Sequence, residues 1–143
     1  AGGLTVGASI ALSPTTFAGA IAEVPFVDIV STMSDPTLPL TITEWEEWGD
    51  PREEPFASYM LSYSPYDLDS SAIHTATYVT AGLNDPRVSY HEPAKWVAKM
   101  RHESPERIVL FKCEMGAGHG GPSGRYEQWL DEAKTLVFAL QCM

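Results

Sequence analysis

"TATYVTAGLNDPRVSYHEPAKWVAKMRHESPERIVLFKCEM", residues 75–115, decides how this chain folds. Its opening run, "TATYVTAG" at 75–82, is rich in β-branched and aromatic side chains and ends in turn formers, which predicts a buried strand. Pro93 then opens "PAKWVAKMRHE", where Trp96, Val97 and Met100 form an apolar stripe. Proline there suits the first turn of a helix, whose N–H groups have no intrahelical partner. "RIVLFKCEM", 107–115, is again an apolar run of strand length. A strand, a helix and a strand in this order predict a parallel pair joined by a right-handed crossover.

The pattern extends in both directions. Gly3 to Leu12 reads as a buried helix of small residues ended by Ser13-Pro14, and "FAGAIAEVP", 17–25, as an interior strand stopped by Pro25. Residues 33–55 hold four prolines and the cluster "TEWEEWGDPREEP", which predicts an irregular excursion with one short helix. Pro55 to Tyr63 predicts a further helix, broken by "SPYD" at 64–67. Tyr126, Trp129, Leu130, Ala133, Val137 and Leu140 recur at helical spacing and predict an amphipathic terminal helix. Strands alternating with helices define an α/β class with a parallel sheet over residues 1–143. No internal repeat or low-complexity linker interrupts it.

Composition narrows the function classes. With 143 residues and 44% hydrophobic content the chain supports one compact core and not two. Nineteen acidic residues against 9 basic ones give a net charge of −10, which excludes nucleic acid as a partner because phosphate binding needs a basic footprint. The acidity serves solubility or forms a field that attracts cationic ligands, and composition alone does not separate the two. Two cysteines, Cys113 and Cys142, do not make a disulfide framework, so a reducing, cytoplasmic setting is expected. Glu23, Pro25 and Asp28 interrupt the most hydrophobic stretch, so no membrane span is expected, and the start of the chain lacks the basic region of a signal peptide. His74, His91 and His102 fit no metal-ligand spacing and read as structural or exposed; neither a metal nor another cofactor is implied.

In an open parallel sheet, functional groups gather where the carboxyl ends of the strands meet their loops. The strand at 75–82 runs into "GLNDPRVSYHEP" and delivers Asp85; the strand at 107–115 runs into "GAGHGG" and delivers His119. Singly, Asp before Pro is a turn residue and a histidine among glycines marks a turn. Together, each after its own strand, they take the chain order Ser…Asp…His of the α/β-hydrolases. In that arrangement the acid fixes the imidazole and the imidazole moves the nucleophile's proton. The nucleophile belongs in Gly-x-Ser-x-Gly on a strand-to-helix turn. The initial "AGG" matches the residues after the serine of such an elbow, which places the reacting residue just before Ala1 and makes residues 1–143 the C-terminal part of the fold, truncated at the nucleophile elbow. Ser9 in "GASIA" has no strand before it and would lie inside the helix. Ser123 is local to the histidine loop and Cys113 lies in a strand.

Longer stretches carry a resemblance. "AGG", "VPFVDIVSTMSDPTLPLTITEWEEWGDP", "YMLSYSPYD", "AGLNDPRVSYHEPAKWVAKMR" and "GAGHGG" resemble the C-terminal catalytic region of the prolyl oligopeptidase family of serine peptidases, in its branch that cleaves after basic residues. The polar "LDSSAIHTA", 68–76, is less like the family than its surroundings. The resemblance implies hydrolysis of short basic peptides after Arg or Lys, with a β-propeller and the N-terminal part of the hydrolase fold lying outside residues 1–143. It implies Asp85 and His119 as triad acid and base, and the Ala1 N–H as an oxyanion-hole donor. It also implies Glu44 and Glu46 as a carboxylate pair for the basic side chain, and Arg87 as the holder of a substrate carbonyl. A guanidinium between two carboxylates gains charge-assisted, bidentate bonds. Residues two apart point away from each other on a strand or a helix, so Glu44 and Glu46 share a pocket only on an irregular turn. Read without the resemblance, "EWEEW" is a solvated acidic helix end. The alternatives are a non-catalytic peptide-binding module in which Asp85 and His119 are remnants, and another α/β-hydrolase such as an esterase. A chain without its nucleophile is expected to be inactive and, with a sheet edge exposed, to self-associate.

Overall fold

A computed structural model describes residues 2–143. Its elements run α1 (Gly2–Leu12), β1 (Gly19–Glu23), α2 (Ile29–Ser34), α3 (Thr41–Trp48), α4 (Phe56–Leu61), β2 (Ala76–Gly82), α5 (His91–Glu103), β3 (Val109–Glu114) and α6 (Arg125–Gln141). The three strands form one parallel sheet in the order β1-β2-β3, with Gly19 opposite Ala76 and Thr77 opposite Val109. The predicted α/β class and the order of strands and main helices are those of the structure.

Alternation along β2 decides what covers each face, because successive strand side chains point to opposite sides. Val79 enters the main core with Ile10 of α1, Ala22 of β1, and Trp96, Val97 and Met100 of α5. Tyr78, its neighbour, meets Phe138 of α6 on the other side, ring centroids 5.7 Å apart. The result is three layers, with α1 and α5 on one face and α6 on the other.

The one short helix expected within 33–55 is α3, and the helix expected over Pro55 to Tyr63 is α4; the short α2, just before the excursion, was not anticipated. None has a local side-chain cap. Tertiary contacts hold them instead: the Trp45 indole N–H donates to the Met33 carbonyl, the Thr41 hydroxyl to the Thr32 carbonyl, and Leu4, Ile29, Met33 and Met60 form a second core beneath. α5 begins at His91, two residues before Pro93, and the proline sits in the first turn, where its missing N–H costs nothing.

The terminal helix has the predicted period, but its apolar stripe faces away from the sheet. Phe138 is buried, whereas Trp129, Leu130, Val137 and Leu140 are all more than half exposed. Asp131, Thr135, Phe138 and Cys142, spaced at four, three and four, are the inner face. Periodicity locates a stripe without saying which surface covers it. Ile108 and Leu110 on β3 are exposed as well.

Trp96 is 1% exposed and joins α5 to the sheet and α1. Trp96→Ala is expected to remove about 3–5 kcal/mol of stability, checked by denaturant unfolding monitored by circular dichroism.

Candidate active site

β2 and β3 end together, Gly82 lying opposite Glu114. The chain after β2 is then tied to the chain after β3: the Leu83 N–H donates to the Glu114 carbonyl at 2.9 Å and the Asn84 N–H to the Ala117 carbonyl at 3.0 Å. Two loops leaving one sheet edge side by side bring their side chains within reach of each other. Asp85 Oδ2 lies 2.7 Å from His119 Nδ1.

Each partner is held for a local reason. Asp85 begins an Asx-type turn: its Oδ1 accepts the N–H groups of Arg87 at 2.8 Å and Val88 at 3.1 Å. Its side chain has no solvent exposure, while that of His119 is 33% exposed. A carboxylate only accepts hydrogen bonds, so the neutral ring carries its proton on Nδ1 and keeps the lone pair on Nε2. The glycines around His119 perform two separate tasks. Gly121 turns with φ +75°, its N–H reaching back to the Gly118 carbonyl, a backbone angle few L side chains accept. Gly82 lies so close beneath the histidine loop that a Cβ there would stand 2.5 Å from the Gly118 carbonyl oxygen.

Asp85, Arg87 and His119 open on a cavity of about 610 Å³ whose opposite wall is the excursion, including Glu44 and Trp48. Glu44 Oε2 accepts the Trp48 indole N–H at 3.1 Å. Glu46 is exposed and does not line this cavity. α3 is helical from Thr41 to Trp48, which turns the two glutamates roughly 200° apart. The irregular turn that a shared pocket needs is absent, so the structure gathers Asp85, His119, Arg87 and Glu44 and leaves Glu46 outside. Ala1 lies outside the described residues. Ser9 is within α1, Ser123 is exposed, Cys113 is on β3, and His74, His91 and His102 are exposed.

Sequence reading missed Glu92. This carboxylate also lines the cavity, is 2% exposed, and accepts the Val27 N–H at 2.5 Å, the Asp28 N–H at 2.8 Å and the Thr32 hydroxyl at 2.8 Å. Burial pushes it above the usual carboxylate range, against the pull of those donors. Beside it Asp28 pairs with Lys95, whose ammonium stands 4.7 Å from the Tyr66 ring centroid. An acid in the first turn of a helix reads as a dipole partner, and nothing local announces donors some sixty residues upstream.

A parallel sheet with an acid and an imidazole paired at its carboxyl edge, beside a cavity walled by an excursion, is the arrangement of the α/β-hydrolase fold class. Residues 1–143 match the Prolyl oligopeptidase family. The chain is 47% identical to Protease 2 of Moraxella lacunata and 45% identical to dipeptidyl aminopeptidase BI of Pseudoxanthomonas mexicana, in each case over 98% of its own length and 20% of the relative's. Its structure matches oligopeptidase B from Leishmania major with TM-score 0.95 and 44% identity, over 99% of this chain and 20% of that one. It matches oligopeptidase B from Trypanosoma brucei, with covalently bound antipain, with TM-score 0.94 and 45% identity, over 98% and 20%. The chain belongs to the prolyl oligopeptidase family of serine peptidases and is oligopeptidase B-like, spanning about a fifth of the length of these relatives.

Gly82→Ala must push the 117–118 backbone away. The expected outcome is an Asp85–His119 separation beyond about 3.5 Å, outside hydrogen-bonding range, read from a crystal structure of the variant.

Proposed function

We propose that this chain supplies the acid, the base and much of the substrate pocket of a serine oligopeptidase that cleaves short peptides after Arg or Lys. The observation that carries this reading is the 2.7 Å contact between His119 and an Asp85 side chain with no exposure, at the rim of a cavity that also holds Glu44. The nucleophilic serine belongs to the segment preceding Ala1, and the β-propeller and remaining hydrolase elements lie in the rest of the protein. The relative from T. brucei holds antipain covalently, which accords with a covalent nucleophile.

In this reading His119 accepts the serine proton through Nε2 as the hydroxyl attacks the scissile carbonyl, and returns it to the departing amine. Asp85 keeps the ring in the required tautomer and stabilises the imidazolium. Its burial keeps water from competing for that bond. The Ala1 N–H donates to the developing oxyanion, and Arg87, exposed on the cavity wall, holds a substrate carbonyl. Glu44 receives the basic side chain. Glu46, on the far face of α3, adds to the negative field without a direct bond. The exposed apolar stripe of α6 and the exposed β3 side chains are where further chain packs in the complete protein; without it, copies of the fragment associate. Cys113 and Cys142 are free thiols, which accords with a reducing, cytoplasmic setting.

In the full-length protein, His119→Ala is expected to lower kcat on an arginyl peptide amide by about 10⁴-fold or more. Glu44→Gln is expected to raise KM for the same substrate by about 10- to 100-fold, and Glu46→Gln by less than about threefold. Equal large effects would show the two glutamates sharing the pocket, and a negligible effect of both would place recognition elsewhere. The 143-residue chain by itself is expected to show no turnover of that amide and to sediment as an associated species; a monomer that hydrolyses it would remove the proposal.

A further inference from the structure

Glu92 lies at the junction of the two halves of the cavity. It belongs to the first turn of α5, directly after the loop that carries Asp85. Its carboxylate nevertheless serves the opposite wall. Oε1 accepts the two N–H groups that lead into α2, from Val27 and Asp28, and Oε2 accepts the Thr32 hydroxyl inside α2. α2 has no cap of its own, since the Asp28 side chain makes no capping bond and is turned to Lys95. Glu92 therefore caps α2 from a helix more than sixty residues away in sequence.

The bonds that α2 makes to α3 give this cap its importance. The Thr32 carbonyl accepts the Thr41 hydroxyl at 2.9 Å, and the Met33 carbonyl accepts the Trp45 indole N–H at 3.0 Å. Both donors lie on α3, one on either side of Glu44 along the turn that carries it. A continuous set of hydrogen bonds thus runs from Glu92 through Thr32 and Thr41 to the helix bearing Glu44. The two ends of this connection differ in stiffness. α5 is 13 residues long and buries Trp96, Val97 and Met100 against the sheet, whereas α2 has 6 residues. If the link at Oε2 is cut, the short helix and α3 on top of it shift, and the long helix stays.

We propose that Glu92 is a positioning residue: through Thr32 and Thr41 it fixes the distance between the Glu44 carboxylate and the Asp85–His119 pair, and so sets how well a basic side chain is held. This rests on the proposed role of Glu44 in receiving that side chain. A positioning residue of this kind governs substrate binding rather than the proton transfers at His119.

The test uses the full-length protein and an arginyl peptide amide. Glu92→Gln keeps the shape, but its oxygen serves Val27 and Asp28 while its amide NH2 donates to the Thr32 hydroxyl, so the link is reversed and loses its charge assistance without being cut. Because burial already works against the ionised carboxylate, losing the charge does not forfeit a stabilising ion, and the variant is expected to fold. Thr32→Val removes the bond altogether and is expected to raise KM by roughly five- to tenfold, the worth of one buried hydrogen bond, with kcat falling less than about twofold. Glu92→Gln is expected to raise KM by less, with the same small effect on kcat. The double variant is expected to be no worse than Thr32→Val alone, because both act on one interaction. Thr32→Ser, which keeps the hydroxyl, restores the original KM. An unchanged KM, a loss confined to kcat, or additive effects of the two changes would overturn the proposal. If Glu92→Gln does not fold, Thr32→Val and its serine rescue decide alone. Glu44→Gln is measured alongside: if it leaves KM unchanged, the functional reading has failed, whereas a response there with none at Thr32 rejects the positioning role by itself.

Discussion

The register between β2 and β3 is the constraint on which the site depends. With Gly82 opposite Glu114, both loops depart from the same level of the sheet, and Asp85 and His119 meet at 2.7 Å. A slip of one residue would displace one loop by about 3.3 Å along the strand and turn every side chain of that strand to the opposite face. Neither change is compatible with the contact. Arginines pin the far end of the pair. Arg101 donates twice to the Val109 carbonyl, and Arg107 donates to the Thr75 carbonyl at 2.8 Å and the Thr77 hydroxyl at 2.6 Å. Arg107 is buried with no carboxylate partner among the described residues, and desolvation brings its pKa down to about 10, so it stays charged at neutral pH. A charged side chain kept in the interior with neutral acceptors contributes little to stability by itself. Its value lies in the register it enforces, at the edge of the sheet opposite the cavity.

Where the signal was local, the sequence was informative. β2, β3 and α5 are marked by side chains within each segment: β-branched and aromatic runs, and the 96, 97, 100 stripe. The pairing of Asp85 with His119 stems from those assignments through topology alone, because adjacent parallel strands deliver their loops to one edge. α2 was not legible for the opposite reason. It has six residues, too few for propensity to decide, and it stands on tertiary bonds with Glu92, Thr41 and Trp45, which lie elsewhere in the chain. The resemblance identified Glu44 and Glu46 together; the backbone separates them, since a regular helix cannot turn positions two apart toward one pocket. In α6 the period was right, and the surface that the stripe faces was left open. Asp131 and Phe138 face the sheet, and Trp129 and Leu130 do not, a choice that composition of the helix alone leaves open.

The treatment of α2 shows how a small element can be made part of a site. Its leading amides need acceptors, and Asp28 stands where a capping side chain ordinarily would, yet that carboxylate pairs with Lys95. A local cap would satisfy the amides at small cost, but it would tie α2 only to itself, leaving its position relative to α5 to packing. Using Glu92 costs the desolvation of a carboxylate, visible in the upward displacement of its pKa, and three donors are needed to offset it. The longer bond adds a fixed separation between two walls of one cavity that are joined in sequence only through α4, β2 and their connecting loops. Packing of apolar side chains tolerates sliding, whereas a carboxylate with three directed donors does not. The wall that bears Glu44 is thereby referred to the same helix that comes after Asp85, so recognition and proton transfer share one origin of coordinates.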